Sequence, residues 1–369
     1  MLGMATPPAW DRLCGMRRFA CPLASLVLSF VGGCGAASQQ SGAKGPAAEQ
    51  ACFGGKPEVF STEPIAFSPV AGFHKGLIVV DGHLIWQLVE SVAHIDFVKG
   101  RGTLANESYL KAADAGEAFV WTFVEHNQPV NKLVAIDLDT GKSRIVIDGR
   151  QNRPFPFHSY LVPEGEFLYF IHGHFDGPCE PGKDDGFFRM RRDGAGRPER
   201  LGAEPSCATN RFLMAGGYVY WHQFPRHGMP GAIYRRRNVP DAPLEPLATA
   251  KSHPLPMALA GGRLYYLDGK RLASVPIDGS APAVEHFPAE GTYDGATLLS
   301  DRGCLYWDAG STLMRAKLAA DGPAAPEVIA DQSTYSRDGA IATDGQHLYW
   351  MDYDRKRIMR AGRSAKTSP

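Results

Sequence analysis

Histidines and aspartates that could act together lie between residues 126 and 227, in segments rich in glycine and proline. Imidazole and carboxylate groups are ligands for zinc and related transition metals, so these residues could hold a metal ion. No spacing among them is diagnostic, and Asp184-Asp185 lacks the alternating oxygen ligands of a calcium loop. We therefore predict no cofactor. The candidate metal ligands are His172, His174 and His222; the alternative is that all the histidines are solvated or only hydrogen-bonded.

Motifs for other chemistry are absent from the sequence. There is no Gly-x-Ser-x-Gly, His-Glu-x-x-His or Walker-type loop, so no catalytic residue is predicted. Lys and Arg together number 39, as do Asp and Glu, which gives a formal net charge of zero. Nucleic-acid-binding domains carry a basic surface, so no nucleic acid partner is expected. The one basic cluster, Arg235-Arg236-Arg237, is interpreted as a solvated strand edge.

Residues 1–33 have the character of an export signal. Met16-Arg17-Arg18 is basic, and the apolar segment 19–30 is too short to span a bilayer stably. The next four residues, Val31-Gly32-Gly33-Cys34, resemble the lipobox of bacterial lipoproteins. This resemblance implies cleavage before Cys34 and lipid attachment to its thiol and amino groups. The alternatives are an ordinary cleaved signal or a short membrane anchor. Residues 1–15 lack signal character and are interpreted as an upstream extension.

The lipobox resemblance implies a protein of the bacterial cell envelope, anchored in the membrane by lipid at Cys34. Gly35 follows Cys34, which is similar to outer-membrane sorting in enteric lipoproteins. Segment 34–52 is rich in small and polar residues and has no apolar period. It is predicted to be the lipidated cysteine and a flexible tether, with a root-mean-square reach of roughly 20–25 Å.

A short strand motif recurs seven times along the chain. The seven copies are Leu84-Ile85-Trp86, Phe119-Val120-Trp121, Leu168-Tyr169-Phe170, Val219-Tyr220-Trp221, Leu264-Tyr265-Tyr266, Leu305-Tyr306-Trp307 and Leu348-Tyr349-Trp350. The third position is aromatic in each, and successive copies are 35 to 51 residues apart. This interval suits one four-stranded sheet with its turns, the repeating unit of a β-propeller. The tryptophans are therefore predicted to be core residues.

Each repeat contains short strand patterns separated by turn residues, without a long helical period, which predicts an all-β fold. The last repeat lacks a fourth strand. Pro57-Glu58-Val59-Phe60 is similar to Pro326-Glu327-Val328-Ile329, the fourth strand of the preceding repeat. We predict a seven-bladed β-propeller of four-stranded blades over residues 53–363. An N-terminal strand completes the last blade, closing the ring and removing free sheet edges. Residues 364–369 are predicted to be a disordered tail.

Two segments, 301–322 and 344–362, carry a likeness to a known family. They read "DRGCLYWDAGSTLMRAKLAADG" and "DGQHLYWMDYDRKRIMRAG" and resemble the repeats of YWTD-type and TolB-like β-propellers. The resemblance extends over roughly residues 55–362 and implies the propeller fold, with peptide or protein bound on one face of the disk. No repeat has the complete Tyr-Trp-Thr-Asp sequence, and the receptor type has six repeats. The receptors' ligands are therefore not carried over.

Connections after the second and fourth strands of a propeller blade share one face, and several are long here. They span residues 125–131, 150–159, 172–186 and 222–231. This face is the predicted binding face. Its candidate residues are His126, His158, His172, His174, Asp176, His222, Arg226 and His227.

Four cysteines follow Cys34, and export would permit disulfides. Cys179 and Cys207 fall on the same predicted face, so we predict a disulfide between them. Cys304 precedes a second-strand motif and is predicted to be free. Cys52 could alternatively reach the sixth or seventh blade.

These features predict an envelope lipoprotein whose propeller binds or scaffolds an envelope protein or peptide. Two alternatives stay open. One is a metal-dependent propeller lyase or hydrolase at His172, His174 and His222. The other is a carbohydrate-binding propeller, for which Phe155, Phe157 and Phe175 are the candidate exposed aromatics. Bound metal, or convergent buried carboxylates, would favour the enzyme.

Overall fold

The protein is described by a computed structural model in which β-strands account for the regular structure. The residues it describes are 52–61, 77–87, 91–96, 100–106, 108–125, 128–149, 161–172, 186–202, 208–223, 231–250, 256–269, 271–289, 297–309, 312–331, 341–352, 355 and 357–363. Within these ranges, no helix has the length and apolar character needed to cross a membrane.

The described strands form seven antiparallel sheets, numbered 1 to 7 along the chain. Sheet 1 contains β2 (Leu77–Val80), β3 (His83–Gln87), β4 (Ser91–Asp96) and β5 (Gly100–Asn106); sheet 2 contains β6 (Ser108–Asp114), β7 (Glu117–Glu125), β8 (Gln128–Asp137) and β9 (Ser143–Asp148). Sheet 3 contains β10 (Val162–Glu164), β11 (Phe167–His172), β12 (Gly186–Arg191) and β13 (Glu199–Gly202); sheet 4 contains β14 (Ala208–Ala215), β15 (Tyr218–Gln223), β16 (Gly231–Arg237) and β17 (Glu245–Ala250).

Sheet 5 contains β18 (Met257–Ala260), β19 (Arg263–Asp268), β20 (Arg271–Pro276) and β21 (Val284–Pro288). Sheet 6 contains β22 (Leu298–Asp301), β23 (Cys304–Ala309), β24 (Thr312–Ala319) and β26 (Glu327–Ala330), with the two-residue strand β25 (Gly322–Pro323) also paired to β24. Sheet 7 contains β27 (Ile341–Thr343), β28 (His347–Asp352), β29 (Arg357–Gly362) and β1 (Glu58–Ser61), in the order β1-β29-β28-β27.

The sheets are the four-stranded blades of a β-propeller, which confirms the all-β propeller predicted from the repeats. The first strands of successive sheets contact one another from β2 to β27, and β27 in turn contacts β2. Tight turns join the first and second strands. Asp81 and Arg302 adopt positive φ angles of 45° and 42° there, next to Gly82 and Gly303. Two successive left-handed residues fit the twist of a two-residue hairpin.

The N-terminal residues extend sheet 7 and contact sheet 6. β1 pairs antiparallel with β29, with Glu58 opposite Arg360, and Phe53 forms a bridge with Arg363. Phe53 is fully buried in a cluster that includes Tyr306 of sheet 6 and Trp350 of sheet 7. The apolar core therefore includes a residue that precedes the first strand.

A disulfide joins Cys52 to Cys304, with a Cα–Cα distance of 5.9 Å. The prediction that Cys304 is free is therefore wrong, whereas the alternative that Cys52 reaches the sixth blade is confirmed. Cys304 begins β23 beside Phe53, so the N-terminal segment brings Cys52 directly to it. This contact joins positions 252 residues apart, which no local pattern indicates. The predicted Cys179–Cys207 disulfide lies outside the described residues.

The core consists of aromatic and aliphatic clusters between neighbouring sheets. Trp86, Trp121, Trp221, Trp307 and Trp350 are each at most 1% exposed, so their prediction as core residues is confirmed. Burial of such large side chains contributes on the order of 2–3 kcal/mol each relative to exposure.

Sheet 2 departs from the repeat by one residue. Counted from the turn at Ala115-Gly116, the third motif position is Val120 rather than Trp121. Val120 shares a cluster with Ile85 of sheet 1, whereas Trp121 belongs to the cluster that contains Phe170 of sheet 3. The prediction that an aromatic residue occupies this position in every repeat is therefore wrong for sheet 2.

Four sheets share a row of tyrosine, arginine and glutamate across the second, third and fourth strands. The rows are Tyr169–Arg189–Glu199, Tyr220–Arg235–Glu245, Tyr306–Arg315–Glu327 and Tyr349–Arg360–Glu58. In each row the arginine donates to the glutamate. Such exposed cross-strand pairs contribute about 0.2–1 kcal/mol each and help to set the register of the outer strand.

Two of the three arginines in the basic cluster of β16 are not solvated. Arg236 is only 4% exposed, and its guanidinium donates to the carbonyl oxygen of Leu201 in sheet 3. Arg235 pairs with Glu245 and donates to the carbonyl oxygen of Ile277 in sheet 5. These two arginines join neighbouring sheets, so the prediction of a solvated edge is wrong for Arg235 and Arg236, whereas Arg237 is exposed.

Candidate functional site

The propeller has two faces that differ in the length of their connections. We call the face with the turns between first and second strands the turn face, and the opposite face the loop face. On the loop face, β11 and β12 are separated by residues 173–185, and β15 and β16 by residues 224–230. On the turn face, the corresponding second strands follow two-residue turns such as Gly216-Gly217. The loop face therefore has the longer and more varied connections.

Two of the predicted site residues fall within the described strands. His172 ends β11, and His222 lies one residue before the end of β15. β11 and β15 are the second strands of sheets 3 and 4, whose first strands contact each other, so both histidines lie toward the loop-face edge of neighbouring blades. The His222 side chain is fully buried rather than solvated. The other candidates are outside the described residues; they are His126, His158, His174, Asp176, Arg226 and His227, together with Cys34.

Acidic residues end the second strands of the next three sheets, a feature that the sequence analysis missed. Asp268 ends β19, Asp308 lies one residue before the end of β23, and Asp352 ends β28. Asp308 and Asp352 are at most 1% exposed. The available signal was the acidic residue that comes one or two positions after each motif in these repeats. The loop-face ends thus have histidines in sheets 3 and 4 and carboxylates in sheets 5 to 7.

The two buried carboxylates are held by hydrogen-bond donors on the loop face. Asp308 Oδ2 accepts from the backbone N–H of Thr297 at 3.0 Å. Asp352 accepts from the Nε of Arg357 at 2.9 Å, and from the backbone N–H and Nη1 of Arg355 at 3.1 and 3.2 Å. A buried carboxylate needs such donors because desolvation otherwise disfavours its charge. The Asp352 carboxylate is therefore paired with two guanidinium groups, which suits a structural role.

A serine and a histidine in sheet 5 have the spacing of an activated nucleophile. The Oγ of Ser274 lies 2.8 Å from Nε2 of His286, and Arg263 Nε donates to the same Oγ at 2.9 Å. Burial, with the nearby Arg263 cation, lowers the pKa of His286, which favours the neutral ring. Such a ring could accept the serine proton. However, Ser274 is fully buried within β20, so this pair joins strands and offers no access to a substrate.

Several charged side chains on the turn face form ion pairs. Arg192, which follows β12, donates to Asp114 at 2.7 Å and joins sheets 3 and 2, whereas Arg144 donates to Glu117 at 2.7 Å within sheet 2. Arg363 pairs with Asp301 of sheet 6. These charges are already paired with each other, so they do not form a free binding site. The described residues also contain no group of three His, Cys, Asp or Glu side chains that could hold a metal ion.

No protein-family model matches the chain, and no curated protein matches it. Among solved structures, an ancestral GH74 enzyme is 9% identical, with 84% of this chain and 51% of that chain covered at a TM-score of 0.56. The N-terminal domain of Nup159 is 10% identical, with 85% and 95% covered at a TM-score of 0.51. TolB from Acinetobacter baumannii is 12% identical, with 74% and 60% covered at a TM-score of 0.40. The chain thus spans about half the length of the GH74 enzyme. At these identities the likeness to the GH74 enzyme and to the Nup159 domain shows the β-propeller fold alone.

Proposed function

We propose that this protein is a lipid-anchored protein of the bacterial envelope whose propeller binds an envelope protein or peptide through the loop face. The observation that carries the binding proposal is the difference between the two faces. The turn face has connections of two to seven residues and several mutually paired charges, whereas the loop face includes connections of 13 residues, at 149–161 and 173–185. Binding residues concentrate on such loops when a rigid scaffold positions them.

The Cys52–Cys304 disulfide supports export of the chain. Structural disulfides persist in oxidising compartments and are rare in the cytosol. Export agrees with the lipobox resemblance at Cys34. Attachment of lipid at Cys34 would leave segment 35–51 as the tether between the membrane and the first described residue. Outer-membrane sorting from Gly35 is part of the same proposal.

Ring closure by the N-terminal strand is the finer part of the proposed fold. We infer one ring of seven blades in which β1 is the fourth strand of sheet 7. The contact between β27 and β2 supports the closure, because it joins the first strands of the last and first sheets. The Tyr349–Arg360–Glu58 row supports the role of β1, because β1 supplies the glutamate that a fourth strand supplies in other sheets.

The experiment for binding is a crosslinked pull-down from native envelopes. The test variant replaces residues 173–183 with glycine and serine. Since this also removes Cys179, circular dichroism must show that it is folded. A matched control replaces residues 139–142 on the turn face. We expect a specific protein with the wild type and the control but not with the loop variant. Equal capture by all three, or capture by none, would refute loop-face binding.

The lipid anchor has a separate test. Labelled palmitate should be incorporated into the wild-type chain and not into a Cys34→Ala variant, which should also leave the membrane fraction. Labelling of both chains would refute attachment at Cys34.

A metal-dependent enzyme is the second candidate, because His172 and His222 lie toward the same edge of neighbouring sheets. Elemental analysis of the purified protein distinguishes it. Stoichiometric zinc that is lost in a His222→Ala variant would favour the enzyme over the binding module.

A further inference from the structure

The N-terminal residues 52–55 are fixed to two sheets at the turn face. The backbone N–H of Phe53 donates to the hydroxyl of Tyr306 at 2.9 Å, and its carbonyl oxygen accepts from Arg315 Nη1 at 2.6 Å. The Phe53 ring lies 4.2 Å below the Arg363 guanidinium carbon. The N–H groups of Gly54 and Gly55 both donate to the carbonyl oxygen of Gly362. The segment is thus bound to sheet 6 and sheet 7 before β1 begins.

β1 by itself is a short attachment. It has four residues, it pairs with β29 alone among the described strands, and its register shifts between Val59 and Ser61. Its side-chain contacts include the Glu58–Arg360 pair and the packing of Phe60 against Tyr349. A load on the N-terminal side would act on this strand, on the hydrogen bonds of residues 53–55 and on the buried Phe53 ring. Loss of β1 would leave β29 as an unpaired edge, which exposes backbone donors and acceptors.

Cys304 is a much stronger point of attachment. It begins β23, which is hydrogen-bonded to β22 on one side and to β24 on the other, and its side chain is 1% exposed. The bond to Cys52 therefore connects the N-terminal segment covalently to a central strand. Cys52 precedes Phe53 and β1 in the chain. A force applied at the N-terminus therefore reaches the disulfide before it reaches Phe53 and β1.

We propose that the Cys52–Cys304 disulfide is a clasp that keeps β1 on sheet 7 by transferring load from the N-terminal segment to β23. With the clasp closed, tension reaches Cys304 and leaves Phe53 and β1 in place. Reduction by a dithiol, which yields two cysteine thiols and an oxidised cyclic disulfide, opens the clasp and makes β1 depend on its own contacts. The clasp is a property of the fold, so its tests require neither lipidation nor a binding partner.

Hydrogen exchange on the full chain is the first test. Cys52→Ser opens the clasp without placing a hydroxyl in the core, as Cys304→Ser would. β17 is an internal control, because it has the same outer position in sheet 4, carries the matching residue Glu245 and lies outside the two sheets that hold residues 52–55. We expect amide exchange at Gly54, Gly55 and β1 to rise at least tenfold in Cys52→Ser, with β17 unchanged. Unchanged exchange at β1, or an equal rise in both strands, would overturn the clasp.

Single-molecule pulling is the second test, with handles at the N-terminus and at Lys142, in the connection between β8 and β9 of sheet 2. Release of residues 52–76, which precede β2, adds 25 residues to the stretched part of the chain. At about 3.3–3.6 Å per residue, this is an early extension of roughly 80–90 Å. The extension should occur in Cys52→Ser and be absent from the oxidised wild type. Identical traces would contradict the clasp. If Cys52→Ser does not fold, the folded wild type is compared before and after mild reduction under the same criteria.

Discussion

Replacement of Phe53 by alanine tests whether the N-terminal segment is part of the core. Phe53 is fully buried, its ring centroid lies 5.5 Å from that of Tyr306, and Arg363 lies over its face. A buried Phe→Ala change costs about 3–5 kcal/mol from lost transfer free energy and the cavity left behind. Loss of the cation–π contact adds about 0.5–2 kcal/mol. We expect the free energy of unfolding to fall by about 3.5–7 kcal/mol, since the neighbouring disulfide limits relaxation but cannot fill the cavity.

The assay for Phe53→Ala is urea unfolding under oxidising conditions, followed by tryptophan fluorescence. The five buried tryptophans report the loss of packing between sheets. Val59→Ala is the matched control, because Val59 lies in β1 but is 41% exposed, and it should cost under about 1 kcal/mol. A loss below about 1 kcal/mol for Phe53→Ala, or equal losses for both variants, would refute the assignment of Phe53 to the core.

Three further predictions concern contacts between strands and sheets. Gly202→Ala places a Cβ against the guanidinium of the buried Arg236, which must then move. The free energy of unfolding, measured by thermal unfolding, should fall by about 1–3 kcal/mol. An unchanged melting temperature would contradict this packing. Arg363→Ala removes the ion-pair partner of Asp301. The free energy of unfolding in urea should fall by about 2–4 kcal/mol, and a decrease under about 0.5 kcal/mol would contradict a stabilising role of the pair. The pKa of His286 is lowered by burial and by Arg263, so the unfolded chain binds a proton at this site more readily than the folded chain. Stability should therefore fall as pH drops below about 6.5 toward the lower folded pKa, and His286→Asn should weaken this dependence; identical pH profiles would contradict it.

The sequence predicted the repeating unit because its signals are local. Tight turns need residues that tolerate positive φ, and a buried second strand needs large apolar side chains, so both recur at each repeat. The Tyr–Arg–Glu row was also visible in principle. Arg315 and Arg360 occupy the same place in "LMRA" and "IMRA", and Glu327 and Glu58 occupy the same place in two Pro-Glu-Val segments. Only the strand register shows that each arginine faces its glutamate.

Contacts between distant parts of the chain were not predictable in this way. Cys304 has the place in its strand that His83 and His347 have in theirs, and nothing nearby indicates a partner. Its pairing with Cys52 depends on where the N-terminal segment lies against sheet 6. Arg236 is a similar case: a basic run predicts exposure, but Gly202 leaves room for the guanidinium between sheets 3 and 4.

For the candidate site, strand order predicted which residues lie at the same edge of the sheets, but not their burial or contacts. Strand order places His172 and His222 toward one edge of neighbouring sheets. It also places Asp308 and Asp352 at that edge in sheets 6 and 7, although their burial follows from packing between sheets and not from their spacing. The remaining histidines of the predicted site lie in loops outside the described residues, and their roles stay predictions.

Face-resolved photocrosslinking in native envelopes tests loop-face binding most directly. A photoreactive amino acid is placed at Gln223 or Arg271, at the loop-face ends of β15 and β20, and at Lys142 or Ser280 in the connections of the turn face. We predict that one envelope protein is crosslinked from the loop-face positions and not from the turn-face positions. Crosslinking of the same protein from both faces, or from the turn face alone, would contradict the account.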